Sequence, residues 1–82
     1  MRAIEAIKSG SQLLRESKVE SHILDSEILM SKAINKEKKF LILNFNNVIP
    51  KENLNIFNDL VNQRSKGKPI AYLLKKKRIL EK

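Results

Sequence analysis

The chain contains no cysteine. Disulfides and thiolate metal sites are therefore excluded, and the composition suits a reducing compartment. Histidine occurs once, as His22, with no second metal-type ligand at a useful spacing. There are two glycines, Gly10 and Gly67, and two prolines, Pro50 and Pro69. Turns should be few, and regular elements should dominate. Neither glycine belongs to a phosphate-cradling loop: Gly67 precedes Lys68 but lacks the second glycine of a P-loop, and no Gly-x-Gly-x-x-Gly occurs. The longest apolar runs, such as Phe40-Leu41-Ile42-Leu43, fall far short of the ~20 residues of a membrane span. The first residues alternate charged and apolar side chains, so no signal peptide is expected. The expected location is the cytoplasm, without membrane association.

What is present fits one small globular domain. The chain has 82 residues, of which 41% are hydrophobic and 32% charged. A chain of this length can fold alone but has little stability to spare. The net charge is +8 and is unevenly placed. Residues 64–82 hold eight bases against one acid, whereas the first 63 residues hold nine bases against eight acids. A basic C-terminal cluster can bind phosphates, or it can be a solvated tail.

Leu, Lys, Glu, Ala and Met favour helix, and the pattern predicts an all-α bundle of about five helices. The first spans about Arg2 to Ser17, with Ile4, Ile7, Ser11 and Leu14 on one face. Gly10 lies inside it, at a cost of ~1 kcal/mol relative to alanine; close approach of a neighbour and plain tolerance both explain it. The second starts after Ser21, a good N-cap, and ends near Asn35. Ile23, Leu24, Ile28, Leu29, Met30, Ala33 and Ile34 cover most of its circumference, which predicts a central position. Lys38 to Phe45 fits a short helix or a buried strand by periodicity; with few other strand signals, helix is the reading. Pro50 opens a fourth helix over Lys51 to Lys66, and Gly67 stops it. Pro69 opens a fifth containing Ile70, Ala71, Tyr72, Leu73 and Leu74.

Few residues could carry chemistry. A lone histidine near a helix start is read as structural or solvated. Asp25 and Glu27 are two apart and point to different sides of a helix, so they are not a paired-carboxylate site. They, and Glu16 with Glu20, are read as solvated charge. Tyr72 and the three phenylalanines are read as core, although Tyr72 lies beside the basic cluster, as in single-strand nucleic-acid binding. No catalytic, cofactor-binding or metal-binding residue is expected. Arg64, Lys66, Lys68, Lys75, Lys76 and Lys77 are the candidate contacts to a partner or to RNA.

The most informative string is Gln63-Arg64-Ser65-Lys66-Gly67-Lys68-Pro69-Ile70-Ala71-Tyr72-Leu73-Leu74. Physically it is a helix end, a glycine cap, a proline restart and a short apolar helix. It resembles the end of the N-terminal helical domain of the release-factor glutamine methyltransferases, the HemK or PrmC family. The family pattern there is Arg-x-x-Gly-x-Pro-(Ile/Val)-x-Tyr-(Ile/Leu). Arg64, Gly67, Pro69, Ile70, Tyr72 and Leu73 match it position by position, in mainly structural roles. Ser21, Asp25, Glu27, Ile28 and Leu29 resemble an upstream family helix, with Ser26 where alanine is usual. The resemblance covers about residues 1–74.

The resemblance implies a domain that helps hold a class-1 peptide chain release factor. In the family, a second domain binds S-adenosylmethionine and carries an Asn-Pro-Pro-Tyr motif, and the enzyme methylates the glutamine of the release factor's Gly-Gly-Gln loop. Neither that motif nor a glycine-rich cofactor loop occurs in this chain, so no catalytic residue carries over. Residues 1–74 are expected to be the helical domain and 75–82 a basic tail or linker, with the catalytic domain absent.

The departure from the family begins at Lys75, where glycine and then Glu-Phe-(Trp/Tyr) are usual. One coding of Arg78 to Lys82 is AGA ATT TTG GAA AAA. Read one base later, it gives Glu-Phe-Trp-Lys. The tail therefore reads as a frame-shifted linker after an A-rich lysine tract. Two other readings stand beside docking: a free-standing basic module for RNA or the ribosome, and a structural module with neither activity.

Overall fold

The computed structural model describes residues 1–75. These residues form an all-α bundle of five helices: α1 (Ala3–Glu16), α2 (His22–Ile34), α3 (Lys38–Leu43), α4 (Lys51–Ser65) and α5 (Ile70–Lys75). The three longer helices, α1, α2 and α4, pack pairwise around the core. Short α3 packs on α2, and short α5 packs on both α2 and α4. Helix α2 thus touches each of the other four, the central place its apolar sequence predicts. Ile23 and Leu24 at its start are nevertheless exposed. Among the described residues no helix is long and apolar enough to cross a membrane.

Close approach of α4 and α2 to α1 explains Gly10. A Cβ there would lie 2.7 Å from Cζ of Phe57 and 3.0 Å from Oγ of Ser26. Phe57 is fully buried on α4, so its ring can lie against α1 only because residue 10 has no side chain. Beside it, Ser26 donates a 2.7 Å hydrogen bond to the Ile7 carbonyl. That bond satisfies the buried hydroxyl and ties α2 to α1.

The start of α1 is covered by the loop before α4. The first N–H groups of a helix have no partner within it. Here those of Ala3 and Ile4 donate to the carbonyls of Asn47 and Phe45, each at 2.9 Å. The Ile49 N–H donates to the Met1 carbonyl at 3.0 Å, and Arg2 and Val48 form an isolated antiparallel bridge. Glu5 accepts from the Arg2 N–H at 2.9 Å, one half of a capping box.

Three helices end in the same way. Lys18, Asn35 and Gly67 take φ values of 68°, 59° and 102°. The residue after each sends its N–H back to a carbonyl five positions earlier: Val19 to Leu14, Lys36 to Ser31 and Lys68 to Gln63. This is the Schellman arrangement, which favours glycine at the left-handed position. Gly67 is the stop expected from the sequence, and asparagine tolerates the conformation. Lys18 is the strained member, so Lys18→Gly should raise stability by about 1 kcal/mol. Equilibrium urea denaturation of the two proteins measures that gain.

Three local expectations need correction. Helix α3 ends at Leu43 rather than Phe45, because the Asn44 side chain donates to the Phe40 carbonyl at 2.7 Å and turns the chain. Ser21 precedes α2 but makes no side-chain cap; its hydroxyl donates to Asp25 instead. Lys75 belongs to α5 and not to a tail.

Candidate docking surface

The corner between α4 and α5 is built around an ion pair. Arg64, in the last turn of α4, donates from Nε to Oδ2 of Asp25 at 2.9 Å. Its Nη1 donates to the Lys68 carbonyl at 3.2 Å. Ser21 donates to the same Oδ2 of Asp25 at 3.0 Å. The side chains of Asp25 and Arg64 are 6% and 21% exposed. One guanidinium thus joins the start of α2, the end of α4 and the turn leading into α5.

Asp25 is therefore not solvated, contrary to the sequence reading. It lies one turn before fully buried Leu29, on the inward stripe of α2. Glu27 is also engaged: Lys38 approaches it to 3.4 Å at the base of α3. Glu16 and Glu20 are exposed, with Glu16 accepting from Gln12 at 3.0 Å. His22 shares a 2.7 Å hydrogen bond with Ser11, which links α2 to α1. Among the described residues there is no cluster of three or more His, Asp or Glu side chains able to hold a metal.

The six residues of the C-terminal string divide by position. Gly67 has open space around it, so its role is backbone conformation rather than close approach. The Pro69 carbonyl accepts from the Leu73 N–H at 3.2 Å and begins α5. Leu73 is fully buried, and Ile70 packs against the core at its edge. Arg64, Gly67, Pro69, Ile70 and Leu73 together fold the corner and fix α5. Tyr72 points outward at about half exposure, with Nζ of Lys68 5.3 Å above its ring. It is not core, and Lys68 lies over one face of the ring.

Lys66, Lys68 and Lys75 are exposed. Lys76 and Lys77 lie outside the described residues, as does the Arg78 to Lys82 segment with its proposed frame shift. Exposed apolar side chains are also frequent. Of Phe40-Leu41-Ile42-Leu43 only Leu41 is buried, and Leu43 is 75% exposed. Between α2, the start of α3 and α5 runs an open groove of about 550 Å³. Ile28 and Leu74 line it together with Lys32, Lys36 and Lys38. Sequence reasoning passed over Lys32 and Lys36. The spacing of four between Ile28 and Lys32 was the available signal for Lys32; Lys36 lies past the end of α2, where helical spacing marks nothing.

Comparison with known proteins agrees with this geometry. The PrmC N-terminal domain family matches residues 5–74. A release factor glutamine methyltransferase of Clostridium acetobutylicum is 33% identical over 76 residues, covering 93% of this chain and 27% of that protein. One from Leptospira interrogans is 30% identical over 71 residues, covering 87% of this chain and 25% of that protein. The chain thus spans about a quarter of the length of these relatives. No solved structure matches. With the five-helix bundle, the Gly67 corner and a match over residues 5–74, the chain belongs to the PrmC N-terminal domain family.

Proposed function

We propose that this domain docks a class-1 peptide chain release factor and leaves methyl transfer to a separate S-adenosylmethionine-binding domain. Family membership carries the reading: two relatives that share this region bear the name release factor glutamine methyltransferase. The surface adds support. A helical bundle with exposed Leu43, Tyr72 and Leu74 offers apolar contact area between lysines, and exposed apolar patches of this kind suit protein partners.

The place of the two glycines supports assigning S-adenosylmethionine to that other domain. Gly10 is taken up by the contact with Phe57 and Ser26, and Gly67 by a helix stop. Neither belongs to a glycine-rich loop. The chain is expected to bind a class-1 release factor with a Kd of about 10 μM, a weak transient interface. It should show no heat of binding with S-adenosylmethionine. Calorimetric titration with each ligand tests both parts, and cofactor binding by this chain would overturn the division of labour.

A further inference from the structure

We propose that the groove between α2, α3 and α5 is a docking site for an acidic, apolar-anchored peptide segment. The partner's identity rests on the docking function proposed above, while the chemistry of the occupant follows from the groove itself. Ile28 and Leu74 give it apolar wall. Lys32, in the last turn of α2, and Lys36, just past the left-handed Asn35 that ends it, both line the groove. Among the described residues Lys32 has no ion-pair partner, and the Lys36 ammonium lies 5.2 Å over the ring of Phe40. Lys38 is paired with Glu27 at 3.4 Å, which leaves Lys32 and Lys36 against Glu37, the one acid among the described lining residues. The uncompensated charge at the groove is positive and comes from lysine.

Charge decides the occupant. The chain's own continuation is a poor candidate. Residues 76–82 carry four bases and one acid, and they follow directly on the lysine that ends α5. A second copy is opposed by a net charge of +8 on each chain. Carboxylates on a partner segment would meet Lys32 and Lys36 with complementary charge, which sets register and speeds association. A leucine- or phenylalanine-sized side chain between them would reach Ile28 and Leu74. RNA would need stacking platforms for its bases. Among the described residues no aromatic side chain lines the groove.

Chemical-shift mapping of the ¹⁵N-labelled 82-residue chain tests the inference. The probes are a class-1 release factor, a 12-residue peptide alternating Glu and Leu, the same peptide with Lys for Glu, and a polyuridine 12-mer. The Glu peptide should shift Ser31, Lys32, Lys36 and Leu74, and the Lys peptide should not. The release factor should shift the same residues. Lys32→Glu combined with Lys36→Glu should weaken both interactions about tenfold or more, with the helical circular dichroism retained.

If the release factor binds but the shifts fall elsewhere, the groove inference is overturned and the docking function stands. If the release factor does not bind but the Glu peptide does so at these residues, the groove inference stands and the docking function fails. Failure of the Glu peptide and the release factor to shift these residues overturns the groove inference. Equal shifts with polyuridine, lost in the double variant, overturn it in favour of a nucleic-acid site.

Discussion

Arg64→Ala should destabilise the domain by about 2–3 kcal/mol. Removing one partner of a buried ion pair typically costs ~3–5 kcal/mol, because the other charge is left without compensation. Two features lower the figure here. Arg64 is about one-fifth exposed, so part of its interaction is screened. Ser21 also continues to donate to Asp25. The loss is still a large share of the total, since a domain of this size has roughly 4–12 kcal/mol in all. Asp25→Ala should cost less, about 1–2 kcal/mol, because the freed guanidinium can turn to water. The double variant should then lose at least ~1 kcal/mol less than the sum of the two. Urea denaturation of the four proteins gives the cycle. Strict additivity would mean that the pair is incidental to the corner.

Gly10→Val should cost about 3 kcal/mol, against the direction that helix propensity suggests. Valine in a helix interior is better than glycine by a few tenths of a kcal/mol. Packing opposes this. The first added carbon already meets Cζ of Phe57 at 2.7 Å, and that ring is fully buried. Overpacking of a close-packed core costs ~1–3 kcal/mol, and a branched side chain belongs at the upper end. It also threatens the hydrogen bond from Ser26 to the Ile7 carbonyl. Thermal denaturation followed by circular dichroism measures the effect; an unchanged or higher midpoint would show that α1 and α4 can separate freely.

The legible parts of the fold were those written in local chemistry. The periodic apolar residues of α1, α2 and α4 gave three helices, and Gly67 with Pro69 gave the corner between α4 and α5. Pro50 stands immediately before α4, where its fixed φ suits a helix entry. What stayed hidden depends on residues far apart in sequence. Asp25 and Arg64 are 39 positions apart, and nothing near Asp25 announces that a cation covers it. The role of Gly10 required knowing that Phe57 lies opposite. The strap from Phe45 to Ile49 over the start of α1 is made by backbone groups, which carry no side-chain signal.

The candidate site divides in the same way. The six residues of the C-terminal string were visible as a motif, but their motif status did not reveal that five of them build the corner and Tyr72 points outward. Arg64 was a candidate partner contact by charge; in the structure its guanidinium is engaged by Asp25 and the Lys68 carbonyl. The groove was hidden for a topological reason. Ile28 and Lys32 share a face of α2, but Lys36 lies past the end of that helix and Leu74 joins them only after α5 folds back onto α2.

Titration of the purified chain with an unmodified class-1 release factor tests the central claim most directly. Binding should be saturable and one-to-one at about 10 μM, weakened by added salt because lysines contribute. No binding at hundreds of micromolar, with the helical fold intact, would contradict it.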